Sequence, residues 1–160
     1  MGTVVDWGSH LPVLMYAMEN SEGDVLELGS GNFSTPYLHW KCHLQKRNLV
    51  SYDDKERFFN DLKLYESETH KTFFVSNWDD IEIERPWGVA LVDHHPNTRR
   101  KVDIKRLANH ARLIVVHDTE EPGYGYDAIY PLFKYRYDFI QTRVHTTVLS
   151  NFEDVTIWKL

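Results

Sequence analysis

Residues 24–40 read DVLELGSGNFSTPYLHW, and their reading decides the fold. Val25, Leu26 and Leu28 make a short apolar run that stops at Gly29, the pattern of a buried strand ending in a glycine turn. Ser34 or Thr35 can cap a helix, and Pro36 suits its first position, where the missing N–H costs nothing. The unit is therefore strand, tight loop, helix. Its backbone N–H groups and helix N-terminus are expected to face whatever lies over the loop. Gly29 and Gly31 are expected to let that ligand approach where a Cβ would collide.

Glu27, two positions before the first glycine, narrows the ligand. The G-x-G-x-x-G pattern that cradles a pyrophosphate lacks its third glycine here, because Ser34 stands in that place. A carboxylate at the strand end also repels phosphate. An acid beside a glycine loop suits a ligand with a positive end and no phosphates, such as S-adenosylmethionine with its ammonium and sulfonium. The stretch E-L-G-S-G-N (27–32) resembles the first motif of class I S-adenosylmethionine-dependent methyltransferases. The resemblance runs from Ser9 to Leu160 and implies that Glu27, Gly29, Ser30 and Gly31 line the methionine end of the donor.

Outward from the loop, strands and helices alternate. Residues 7–19 place Leu11, Leu14, Met15 and Met18 on one helical face, with Ser9 as cap and Pro12 in the first turn. In the resembled family such a helix covers the cofactor, so Trp7 and His10 are candidate donor contacts. After a helix at 36–45, NLVSY (48–52) is a strand ending in Asp53 and Asp54. An acid about 20 residues past the glycines is where a ribose diol is held. Asp53 is assigned to the ribose and Asp54 to the cap of a helix over 55–65, with the reverse order left open. Residues 69–78 read as a third strand; the resemblance implies that Trp78 and Asp79 just past it flank the adenine. WGVALVDHHP (87–96) is a strand covered on both faces, with Asp93 at its end. A helix opening at Asn97 or Thr98 follows, then ARLIVVHDTE (111–120), a strand ending in His117 and Asp118. Residues 120–127 read as an aromatic lid loop and 128–134 as a short helix. Residues 137–142, 145–150 and 155–160 read as closing strands, with 151–154 as the tight turn of a terminal antiparallel hairpin. The expected fold is α/β: a doubly wound, mostly parallel seven-stranded sheet with a C-terminal antiparallel hairpin. It forms one domain, a covering helix at 7–19 on a Rossmann-type core at 24–160. Glu27, Asp53, Asn77, Asp93 and Asp118 then gather along the carboxyl ends of the strands, where ligands bind in such sheets.

Methyl transfer needs donor and acceptor aligned, and a base if the acceptor is a hydroxyl. Asp93, His94 and His95 are the candidate catalytic residues, either histidine serving as base. Asp93 and Asp118 offer hard oxygen ligands for magnesium if the reaction is metal-dependent. L-V-D-H-H is similar to the strand end of catechol O-methyltransferase, where an Asp binds magnesium; that family continues its next strand with Asp-Asn, and this chain has Asp118-Thr119. Asp93, His94, His95, His117 and Asp118 also make a mixed donor set for zinc or iron, although neighbours on a strand point to opposite faces and all five cannot converge.

The formal charge of −6 over 160 residues, without a dense Lys/Arg block, argues against nucleic acid as the main partner and for a small-molecule acceptor. The one cysteine, the lack of a membrane-length apolar run and the lack of a signal-peptide pattern fit a cytoplasmic protein. A homo-oligomer is left open. Two rivals to the O-methyltransferase reading stand: a catalytically silent donor-binding module that acts through a protein partner, and a nicotinamide-dependent oxidoreductase.

Overall fold

The computed structural model describes residues 4–160. Its strands are β1 (Val25–Leu28), β2 (Leu49–Asp53), β3 (His70–Phe74), β4 (Trp87–Val92), β5 (Ala111–His117), β6 (Tyr135–Phe139) and β7 (Thr146–Ser150). Its helices are α1 (Val4–Trp7), α2 (Leu11–Glu19), α3 (Ser34–Gln45), α4 (Glu56–Leu62) and α5 (Arg100–Leu107). The strands form one seven-stranded sheet in the order β3-β2-β1-β4-β5-β7-β6. β1 to β5 are parallel, while β7 runs antiparallel to β5 and β6 antiparallel to β7.

Side-chain alternation splits the apolar strands between two cores. Val25, Val89, Leu91, Leu113 and Val115 pack against Val13, Leu14, Ala17 and Met18 of α2 and Leu38 and Cys42 of α3. Leu26, Leu28, Ala90, Val92, Ile114 and Val116 pack on the other face, against Ile104 and Leu107 of α5. β1 and β4 are buried at every position, as central parallel strands must be. Because the strands are parallel, their carboxyl ends lie along one edge, and the chain order reverses beside β1, between β1 and β4. That switch point positions the crevice described below.

Several segments depart from the sequence reading. The terminal hairpin is β6–β7, joined through residues 140–145; residues 155–160 carry a 3₁₀ turn at Val155–Ile157 and no strand. Trp158 packs edge-on against Tyr16 and near Tyr137, so this segment buries its apolar side chains without a ladder. Residues 122–132 form three 3₁₀ turns in place of a lid and a helix, and buried Tyr126 anchors them to the α5 core. The covering helix starts at Leu11, and Ser9 does not cap it. β3 stops at Phe74, and Asn77 caps a 3₁₀ turn over Trp78–Asp80.

Candidate active site

At the carboxyl ends of β1, β2, β4 and β5 lies a crevice of about 390 Å³. The loop 29–31 and Phe33 form one wall; Asp53, Asp54, Lys55, Arg57 and Phe58 form the second. Asp93, His94, His95, Asn97, Arg100, His117 and Asp118 make the floor, and Trp7 and His10 close the top.

The glycine loop is built differently from its expected form. Gly29 has φ +88°, and a Cβ there would stand 2.6 Å from the Asp93 carbonyl carbon and from the His94 nitrogen. Its bareness thus serves the approach of the loop to the end of β4. Gly31 is different: a Cβ would meet only Ser34 Oγ at 3.7 Å, so that position is open. The loop amides are already spent. Gly29 N donates to Tyr52 O, Ser30 N to Asp53 Oδ2 at 2.8 Å and Gly31 N to Thr35 Oγ1 at 3.0 Å.

Glu27 does not reach the crevice. Strand alternation puts it with Val25 on the α3 face, fully buried. Ser34 and Thr35 of α3 donate to Oε1 at 2.7 and 2.9 Å, and Ser51 of β2 donates to Oε2 at 2.6 Å. Its role is to lock the first turn of α3 to β2 beneath the loop. Burial pushes its carboxyl up to about 7, despite those three hydroxyl donors. A carboxyl raised from 4.5 in the unfolded chain contributes stability below that value and loses it as pH rises through about 7. Glu27→Gln, which never ionises, should therefore flatten the fall in melting temperature between about pH 5 and pH 8 relative to the wild type. Parallel melting curves in both proteins would sink this account of Glu27.

The two acids after β2 have different surroundings. Asp53 is the structural one: its Oδ2 takes the amide and hydroxyl of Ser30, each at 2.8 Å, and its Oδ1 takes Lys55 N at 2.8 Å. Asp54 caps nothing; its one ion pair is with exposed Lys55 at 3.2 Å, and it lines the crevice.

The floor is organised by Arg100, to which the sequence reading gave no role. Its guanidinium is 2% exposed and donates to His94 O at 2.8 Å, His117 O at 3.2 Å, Asp93 O at 3.1 Å and Asp118 Oδ2 at 2.8 Å. It also pairs with Asp93 Oδ1 at 3.0 Å. One side chain from α5 thus ties the ends of β4 and β5 together. Asp118 turns toward it in the left-handed region, at φ +58°, where aspartate is among the few tolerated residues. The Asp93–Asp118 pair is therefore bridged by a guanidinium, which does not support magnesium at these two carboxylates. Burial would raise the Asp93 carboxyl, but His117, Arg100 and His10 outweigh it and hold it well below the usual carboxylate range.

The histidines part ways by parity. His94 continues the Val92 face toward α5: its ring is buried against Trp78, with centroids 4.1 Å apart, and Nε2 pairs with Asp103 at 2.9 Å. Its Nε2 is thus engaged toward α5, while the residue also lines the crevice floor. His95 is exposed at the crevice rim. His117 faces α2, with Nε2 2.8 Å from Ser9 Oγ and Nδ1 3.3 Å from Asp93 Oδ1. Ser9 spends its proton on Asp6 O, so Nε2 must donate, and Nδ1 faces a carboxylate. Burial pulls His117 down, but Asp93 and Asp118 outweigh it, and the net shift is upward. His10 is buried with neither ring nitrogen bonded, and burial lowers it to about 4.

Trp78 and Asp79 are not brought to the crevice. The short β3 puts Trp78 in the α5 core, where its carbonyl accepts from Arg99 and Arg106, and Asp79 pairs with Arg99 at the surface. Phe33, Arg57, Phe58 and Asn97 line the crevice without a signal in the sequence.

Solved structures similar to this chain include methyltransferases. Cofactor-bound Rv0187 from MTB is 14% identical, with TM-score 0.69, over 96% of this chain and 83% of that one. The O-methyltransferase TomG from Streptomyces achromogenes, in complex with SAM, is 14% identical with TM-score 0.62, over 93% and 81%. The hMettl16 catalytic domain, in complex with MAT2A 3′UTR hairpin 1, is 13% identical with TM-score 0.65, over 99% and 74%. The chain has the class I S-adenosylmethionine-dependent methyltransferase fold. No family model and no curated protein matches the sequence. In this methyltransferase fold the crevice occupies the carboxyl edge of the sheet, and no helix among the described residues is long and apolar enough to cross a membrane.

Proposed function

We propose that the crevice binds S-adenosylmethionine and that the chain transfers its methyl group to a small hydroxyl-bearing acceptor. The observation that carries this reading is the state of the glycine loop. The amides of Gly29, Ser30 and Gly31 are committed to protein acceptors, so they offer nothing to a diphosphate, while Gly31 leaves bare space in a crevice that the Asp54 carboxylate also lines. That combination fits a nucleoside whose charged end is cationic. It speaks against the nicotinamide reading, whose cofactor needs those amides.

When bound, S-adenosylmethionine supplies an activated methyl group on a sulfonium sulfur. Asp54 would accept from the ribose hydroxyls, and Gly31 and Ser30 would border the methionine end. Asp93, fixed by Arg100 and His117, would orient the acceptor, and His95 at the rim would take its proton. The net charge of −6 favours a small acceptor over RNA. Localisation in the cytoplasm belongs to the same reading, and so does a second subunit as a source of acceptor contacts.

Asp54→Ala should lower affinity for S-adenosylhomocysteine about ten- to hundred-fold, the value of hydrogen bonds to a charged group. The melting temperature should hardly move, because the exposed pair with Lys55 is worth little. Asp53→Ala should do the reverse and destabilise the loop. Calorimetry and thermal melts on both variants decide; equal affinity in wild type and Asp54→Ala removes Asp54 from the site. Turnover of the labelled donor across acceptor classes then separates an enzyme from a silent module, which would bind the donor and methylate nothing.

A further inference from the structure

We propose that His10, Asp93 and His117 form a binding site for one divalent transition metal of the zinc class, at the top of the crevice floor. One donor atom of each lies within 4.8 Å of the others. The three come from separate elements, the start of α2 and the ends of β4 and β5, which the fold brings to one point.

The state of His10 points to a ligand. Its ring is 2% exposed, lines the crevice, and has no hydrogen bond at either nitrogen. A buried imidazole has lost its water at both nitrogens, and nothing among the described residues repays that loss. A metal ion repays it with one bond.

The surroundings are those of a positioned ligand set. Ser9 Oγ holds the far nitrogen of His117 at 2.8 Å, which aims Nδ1 at Asp93. Outer contacts of this kind fix the ring of a metal-bound histidine. Arg100 holds Asp93 through Oδ1, and no described group bonds Oδ2. The rings of His10 and His117 stand edge to face with centroids 4.8 Å apart, so both can turn a nitrogen to a common point. Metal–ligand bonds of about 2.0–2.2 Å require the donors to close by about 1 Å, and no hydrogen bond of His10 resists that.

Two imidazoles and one carboxylate are a borderline donor set, suited to zinc, cobalt, nickel or iron and poorly suited to magnesium. On binding, the Nδ1 proton of His117 leaves to solvent and its lone pair becomes the bond. Asp93 and Asp118 then face one guanidinium, so a negative charge remains to attract a dication. Three protein ligands leave a position open toward the crevice for an anionic oxygen of the acceptor, which would deepen the methyl-transfer reading.

The test is a titration of the full chain with Co²⁺ in the absence of any donor, read by visible absorption, with Zn²⁺ calorimetry in parallel. One equivalent should bind. His10→Ala and Asp93→Asn should weaken binding at least about 100-fold, beyond the effect of losing an outer contact, and His43→Ala, on the exposed end of α3, should not change it. No Co²⁺ or Zn²⁺ binding, or binding equal in His10→Ala, overturns the proposal; so does a site taking magnesium alone. Circular dichroism checks folding, and should Asp93→Asn misfold, His10→Ala decides alone. Because no donor is present, failure here leaves S-adenosylhomocysteine binding intact, and the converse also holds.

Discussion

Arg100→Met should lower the melting temperature at neutral pH by about 10 °C. The substitution keeps much of the length and apolar bulk of the side chain but removes its charge and its donors. Asp93 and Asp118 then lose the guanidinium between them, although the His117 ring stays beside both, and three carbonyls at the ends of β4 and β5 lose their partner. Breaking a buried pair by deleting one member costs about 3–5 kcal/mol. In a chain of this size each kcal/mol moves the midpoint by about 2–4 °C. Arg100→Lys should recover only part of the loss, since an ammonium has three donors and no fork. The sign with pH follows from Asp93, whose carboxyl is held low in the folded protein. Such a group stabilises above its unfolded value, near 4, and ceases to as pH falls through its folded value. The gap between wild type and Arg100→Met should therefore narrow below about pH 4. Thermal melts at pH 7 and at about pH 3 measure both; a gap that is small at neutral pH would remove Arg100 as the organiser of the floor.

Gly31→Val should clearly reduce the rise in melting temperature that S-adenosylhomocysteine at about a hundred times its wild-type Kd gives the wild type, while leaving the unliganded melt nearly unchanged. A ligand that binds only the folded state raises its stability with the logarithm of its saturation, so losing the rise reports lost affinity. The folded chain has room at position 31, where Ser34 Oγ is the nearest atom at 3.7 Å and φ is not in the left-handed region. The added methyls therefore collide with the ligand and not with the protein. Overpacking of about 1–3 kcal/mol corresponds to about five- to hundred-fold in affinity. Gly29 offers no such separation. Any side chain there strikes the Asp93–His94 backbone at 2.6 Å, so Gly29→Val would damage the fold and say nothing about the ligand.

Parallel strands buried on both faces read clearly in the sequence, because an apolar run stops where the ligand edge begins. Leu28 before Gly29, Val92 before Asp93 and Val116 before His117 mark three such ends. The direction of a polar side chain at those ends is less legible. Glu27 reads as a crevice acid and His94 as a base, yet parity sends the first under α3 and turns the ring of the second toward Asp103 and Trp78. The bonded amides of Gly29, Ser30 and Gly31, and not the buried Glu27 carboxylate, are what bear on a phosphate at this loop. Arg100 carries no local signal, since its meaning lies in two strand ends that are distant in sequence and adjacent in space. The segment 155–160 has an apolar pattern fit for a strand, but packing of Trp158 on Tyr16 uses that surface without pairing. Trp78 and Asp79 depended on β3 running four residues further than it does.

The most direct measurement is a calorimetric titration of the wild-type chain with S-adenosylhomocysteine, run beside one with NADH. The commitment of the Gly29, Ser30 and Gly31 amides to Tyr52, Asp53 and Thr35 predicts saturable one-site heat from the first and none from the second. Heat from NADH alone, or from neither, would contradict it.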